Sequence, residues 1–146
     1  MILPDVNILL YAYDAASPFH AKARAWFETV LADEQVYFSW HTITGFVRIV
    51  THPTALANPT TTEKAISIVS KWLELGNTHL VSLEKKNWPL FSSMLIEGQA
   101  SGNLVMDAHL AAMAASCGAK LASTDRDFTR FPGIQLINPI KSHVSN

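Results

Sequence analysis

Cysteine is all but missing: Cys117 is the only one in 146 residues, so no disulfide can form within the chain and nothing points to an oxidising compartment. Its Ala-rich, helix-patterned surroundings make it a small core residue. Charge is sparse too. Lysine and arginine total 11 against 12 acids, a formal net charge of -1, with 16% of residues charged. A chain that coats nucleic acid indiscriminately is excluded, and any such binding must rest on a local basic patch. The N-terminal apolar run has no basic segment before it and contains Asp5 and Asn7. That argues against a signal peptide or membrane span and makes the cytoplasm the expected location. The six glycines form no phosphate-cradling loop, and no nucleophile elbow appears. His20, His41, His52, His79, His109 and His143 show no metal-type spacing such as HxxxH and read as surface or half-buried polar residues. Internal repeats, low-complexity stretches and linkers are absent as well.

What is present is apolar. Hydrophobic residues make up 49% of the sequence, enough for one domain over 1–146 and for an additional apolar face suited to a second copy or a protein partner. The run from Ile2 to Tyr11 reads as a strand. After a polar turn over Asp14 to Pro18, with Ser17 as helix cap and Pro18 at the first helical position, the spacing of Phe19, Ala23, Trp26, Phe27, Val30 and Leu31 predicts an amphipathic helix. Val36 to Phe38 follows as a second strand. Ser39 caps a helix carrying Ile43, Phe46, Val47 and Val50, which His52 and Pro53 end. A Thr-, Pro- and Asn-rich loop leads to a helix opened by Thr60 to Glu63 and running through Leu75, closed by Gly76. His79 to Leu83 is a strand, about Asn87 to Ile96 a helix, Leu104 to Cys117 an Ala-rich helix stopped by Gly118. Ala119 to Ser123 and Ile134 to Ile137 complete the strands. Strands alternating with helices define an α/β fold: a mostly parallel sheet covered on both faces, with functional groups beyond the carboxyl ends of its strands.

Most of the acids fall in turns or on polar helix faces. Asp5, Asp107, Asp125 and Asp127 do not. Each has an ordinary structural role open to it: Asp5 capping a helix, Asp107 favoured by a helix N-terminus, Asp125 and Asp127 closing an Asx turn. One α/β sheet, however, would gather all of them at one edge. Carboxylates sharing a cleft raise one another's pKa, and a divalent cation relieves this. Hard oxygen donors without a Cys or His cluster favour Mg²⁺ or Mn²⁺ over Zn²⁺. Such an ion suits hydrolysis of a phosphoester, so nuclease is the leading chemistry. A phosphorylatable receiver-type site is the competing acid chemistry; it needs a lysine at a strand end, and although Ser123 or Thr124 is present, that lysine is not.

Four segments then form a pattern: Leu3-Pro4-Asp5-Val6-Asn7, the Val47-Arg48-Ile49-Val50-Thr51-His52-Pro53 run, Met106-Asp107-Ala108-His109-Leu110-Ala111-Ala112, and Thr124-Asp125-Arg126-Asp127-Phe128. In order and spacing they resemble the PIN-domain family, and within it the VapC-like toxin ribonucleases of bacterial toxin and antitoxin pairs. The resemblance implies a three-layer α/β/α fold and a Mg²⁺- or Mn²⁺-dependent endoribonuclease. It also implies a homodimer inhibited by a small cognate antitoxin. On it, Asp5, Asp107 and Asp125 match the metal ligands and Asp127 an auxiliary acid, Asp125 or Asp127 orienting the attacking water. Asn7 or Thr124 would hold a ligand carboxylate or a water, and Arg126 and Arg130 would guide RNA, with Lys85, Lys86 and Arg48 as secondary cations. Trp40 and Trp88 are candidates for base stacking. One departure stands out. Many members carry Glu immediately before the Phe-Val-Arg segment, where this chain has Gly45; the missing acid favours an alternative reading, a PIN-like RNA- or antitoxin-binding module with weakened catalysis.

Overall fold

In the computed structural model, which describes residues 1–141, five short strands form one sheet: β1 (Ile2–Pro4), β2 (Val36–Ser39), β3 (Thr78–Val81), β4 (Lys120–Ala122) and β5 (Gln135–Ile137). His143 lies outside the described residues. All pairings are parallel, in the order β3-β2-β1-β4-β5. The helices are α1 (Val6–Tyr13), α2 (His20–Asp33), α3 (Trp40–Thr51), α4 (Thr62–Leu73), α5 (Trp88–Glu97) and α6 (Leu104–Cys117), with short 3-10 turns at Lys85–Asn87 and Arg126–Arg130.

Side-chain alternation along β1 and β4 divides the core. Ile2, Ala122 and Phe38 of β2 face a cluster with Leu9, Phe27, Phe46 and Val69 from α1 to α4; Leu3 and Leu121 face Met94, Phe128 and the alanines of α6. The result is the three-layer α/β/α architecture. Trp72 of α4 stacks on Phe38 with ring centroids 5.7 Å apart. Several sequence signals operate as read. Ser39 Oγ accepts from the Thr42 N–H, Thr61 Oγ1 from the Lys64 N–H, and Gly118 ends α6 in the left-handed conformation at φ 65°.

The first strand differs from expectation. β1 stops at Pro4, and the rest of the run to Tyr11 is helical. Leu3 and Pro4 still pair with β4, whereas pairing with β2 ends at Ile2, so the N–H that Pro4 lacks is not required there. Asp5 in extended conformation then turns the chain, its Oδ1 accepting from the Val6 N–H at 2.7 Å, and α1 buries Ile8 and Leu9. A continuous apolar run fits a buried helix as well as a buried strand, and here the helix won because a carboxylate sits at its cap. The Ser17-Pro18 start is also displaced: α2 begins at His20, with Ser17 Oγ bonded to the Phe19 N–H in the turn before it. Cys117 is only half-buried at the end of α6.

Candidate active site

β1 and β4 are neighbours although the chain visits β2 and β3 between them, so the strand order reverses at this pair. Crevices at the carboxyl ends of strands open at such a point. Asp5 follows β1, and Ser123 to Asp127 follow β4. The Asp5 N–H donates to the Ala122 carbonyl at 2.8 Å, which ties the two exits together. Asp107 comes from the first turn of α6, where the helix dipole favours its charge.

Asp107, Asp125 and Asp127 each place a carboxylate oxygen within 4.8 Å of the other two. Asp5 stands outside that trio but close enough to act on it. Asp107 is pushed up to about 6, first by partial burial and then by the charges of Asp125, Asp5 and Asp127, with Arg130 opposing. Asp5 is raised as well: burial dominates, the hydrogen bonds from Ser123 and the Val6 N–H pull the other way, Asp125 adds to the rise and His41 subtracts from it. All of the aspartates singled out by sequence thus converge at one edge.

The residue that sequence reasoning left without a role here is Ser123, fully buried beside them. Its hydroxyl donates to Asp5 Oδ2 at 2.7 Å and accepts from the Asp125 N–H at 3.0 Å and from Asn7 Nδ2 at 3.3 Å. One oxygen therefore links both strand exits and α1. A buried serine closing an apolar strand was the available signal. Asn7 also donates to Thr124 Oγ1 at 3.0 Å, and its own carbonyl oxygen is buried without a donor among the described residues. The Asp127 N–H donates to Asp125 Oδ1 at 2.8 Å, the Asx turn foreseen, and it coexists with the cluster.

A divalent cation fits this donor set. The oxygens are hard, burial and then their mutual repulsion displace Asp107 upward, and the buried Asn7 carbonyl needs a water or cation to satisfy it. Among the cations, Arg130 Nη1 is committed to the Gly98 carbonyl at 3.0 Å and Lys86 pairs with Glu84 at 3.6 Å, while Arg126 is exposed with no ion pair among the described residues. His109 turns its ring edge to Phe91, with burial and His41 lowering its pKa, and takes no part in the cluster.

Gly45 lies in α3, packed near the start of α1. A β-carbon there would meet only Val6 Cγ2, at an ordinary 3.5 Å. Nothing in the packing requires glycine. Gly45→Ala is accordingly expected to stabilise the protein by about 1 kcal/mol, through helix propensity and a less flexible unfolded chain. Thermal unfolding checks this, with a rise of about 2–4 °C expected.

The PIN domain model matches residues 2–134. Ribonuclease VapC48 of Mycobacterium tuberculosis is 37% identical over 137 residues, covering 92% of this chain and 94% of the relative. Ribonuclease VapC33 of the same species is 32% identical, covering 97% and 99%. In fold, the chain is similar to VapBC2 from Rickettsia felis bound to a promoter DNA fragment, with TM-score 0.69, 18% identity and coverage of 94% and 98%. It is also similar to VapC20 of Mycobacterium tuberculosis, a sarcin-ricin loop cleaving toxin, with TM-score 0.64, 14% identity and coverage of 92% and 99%. The cluster sits at the switch point of a parallel α/β/α sheet, and both sequence and fold agree with it: the chain belongs to the PIN-domain family, among the proteins named VapC ribonucleases.

Proposed function

We propose that the protein is a metal-dependent endoribonuclease, the toxin of a toxin and antitoxin pair. The observation that carries this reading is the convergence of Asp5, Asp107, Asp125 and Asp127, which leaves Asp107 raised to about 6 beside partners of like charge. Asp107, Asp125 and Asp5 would hold Mg²⁺ or Mn²⁺, with Asp127 as auxiliary acid. A bound divalent ion supplies positive charge against the scissile phosphate and acidifies water. The chain's own residues do the positioning. Ser123 and the Val6 N–H fix both oxygens of Asp5, and the Asp127 N–H fixes one of Asp125. That leaves the second oxygen of Asp125, or the exposed Asp127, to take the proton of an attacking water. Asn7 and Thr124 clamp α1 to the β4 exit, and Arg126 meets the RNA backbone.

Relatives named VapC, and fold neighbours solved as VapBC assemblies, support an antitoxin partner. The exposed Trp40, Trp88, Ile96 and Met106 offer apolar surface to that partner or to a second copy in a homodimer. Among the described residues no helix is long and apolar enough to cross a membrane. Cleavage of structured RNA is expected to require a divalent ion, to stop on chelation and to resume with Mg²⁺ or Mn²⁺. Cutting that persists in full after exhaustive chelation contradicts the reading. Gly45 favours one other outcome, a module that binds RNA or antitoxin without measurable turnover.

A further inference from the structure

Beyond the aspartates, toward β5, the same sheet edge opens into a cleft of about 290 Å³ that includes Asp125 and Ser123 in its wall and continues past Thr124, Arg126, Asn138 and Lys141. The hydrogen-bonding state of its wall is one-sided. Ser123 Oγ is used up by Asp5, Asn7 and the Asp125 N–H. Thr124 Oγ1 accepts from Asn7 and keeps its own O–H to give. Asn138 Oδ1 accepts from the Ile140 and Lys141 N–H groups at 3.0 and 3.2 Å, so its acceptor is committed and its amide N–H₂ is left. Neither the Arg126 guanidinium nor the Lys141 ammonium has an ion-pair partner among the described residues, even though Asp125 is close by. Apart from the Asp125 carboxylate, which also faces this space, and the Thr129 hydroxyl, whose proton goes to the Arg126 carbonyl at 2.7 Å, the side-chain polar groups left over can donate: a hydroxyl, an amide, a guanidinium and an ammonium. Donors in excess around a concave space define an anion site.

We propose that this cleft binds a backbone phosphate of the RNA next to the one that is cut, with Arg126 and Lys141 as the charged pair and Thr124 and Asn138 as neutral donors. The proposal rests on the nuclease reading and adds a direction to it: the strand leaves the aspartates toward β5. It also answers an electrostatic difficulty. Clustered carboxylates repel a polyanion; Arg130 offsets part of this at Asp107, and Arg126 and Lys141 are the cations in the wall of this cleft, placed to offset it on the β5 side. Leu136, the apolar part of the wall, can meet a ribose.

The test uses a short fluorescein-labelled single-stranded RNA, its affinity measured across a KCl series with the Asp107→Asn protein and with that protein also carrying Arg126→Ala, Lys141→Ala or Lys141→Arg. Turnover is measured in the same variants without the Asp107 change. Each alanine variant is expected to flatten the dependence of log affinity on log salt by about 0.7, the value for one lost single-strand phosphate contact. KM should rise several-fold with kcat little changed, and Lys141→Arg should restore the wild-type slope. Unchanged slope and KM in both alanine variants, with wild-type cleavage intact, overturn the cleft and spare the nuclease reading. Slopes that fall as expected in a protein that cuts no RNA overturn the nuclease reading and spare the cleft. Loss of affinity for an acidic antitoxin peptide, with RNA binding untouched, would assign the cleft to the protein partner and also overturn the proposal.

Discussion

Asp5→Asn is expected to cut RNA cleavage by about 100- to 1000-fold, the range seen when one preorganised charge-stabilising group is removed, while the stability of the metal-free protein stays within about 1 kcal/mol of wild type. The two halves of this expectation have separate causes. Asparagine keeps an oxygen for the Val6 N–H, so the entry to α1 survives. Its amide would then face Ser123 Oγ, which already accepts from Asn7 and the Asp125 N–H, and that crowding costs some stability. Against it, a buried carboxylate held above its ordinary pKa disappears, and with it one of the charges that raise Asp107. Cleavage is affected differently, because the negative charge itself is what the reaction uses. Measuring kcat/KM beside a thermal melt separates the two effects. A folded Asp5→Asn protein that cuts RNA within a few-fold of wild type would remove Asp5 from the catalytic set.

Asp5 also shows how far the sequence can be read. An acid inside an apolar run was marked as needing partners; the groups that bond it are Ser123 and the Val6 N–H, while Asp107 and Asp125 lie close enough to couple with it through charge. What the run could not disclose is that the strand ends at Pro4: apolar periodicity does not distinguish a buried strand from a buried helix, and the cap at the boundary is the same carboxylate proposed to hold the metal. The capping role and the proposed catalytic role, taken from sequence as alternatives, are compatible in one side chain, one oxygen bonded to Val6 and the other to Ser123. α6 was legible almost to the residue because its alanines, its stop at Gly118 and its acid in the first turn all agree. The architecture followed from alternation of element types, which survives errors of a few residues at each end.

The site was legible as a list of acids but not as a network. Ser123 is one hydroxyl among many in the sequence, and its importance arises only when β1 and β4 become neighbours across more than a hundred residues. The same holds for the donors of the β5-side cleft, since Asn138 and Lys141 join Arg126 only through the β4–β5 pairing. Gly45 is the reverse case. Sequence marked the missing acid, and the structure adds that a β-carbon there would meet Val6 Cγ2 at an ordinary 3.5 Å, so packing at that atom does not demand glycine.

The last expectation concerns pH and metal together. Asp107 is pushed from its ordinary 3.8 to about 6 in the folded protein. Between these values the folded state holds a proton that the unfolded chain has released, so raising the pH favours unfolding. The stability that Asp107 contributes is fully present below 3.8 and is lost as pH rises through about 6. Taken whole, that displacement corresponds to about 3 kcal/mol; with much of the side chain in water, screening reduces it to about 1 kcal/mol. His109 works in the opposite sense, since burial lowers its pKa and acid then destabilises it. The comparison of wild type with Asp107→Asn cancels His109: the difference in melting temperature should favour wild type least at neutral pH. Adding Mn²⁺ at about 100 times its dissociation constant should reverse the ranking at neutral pH, adding about 2.7 kcal/mol to wild type, or about 5–10 °C. That gain should fade as pH drops through the Asp107 transition, because protons and metal compete for the same oxygens. A metal-induced shift of equal size in both proteins, or one indifferent to pH, would mean that the ion is held elsewhere than at Asp107.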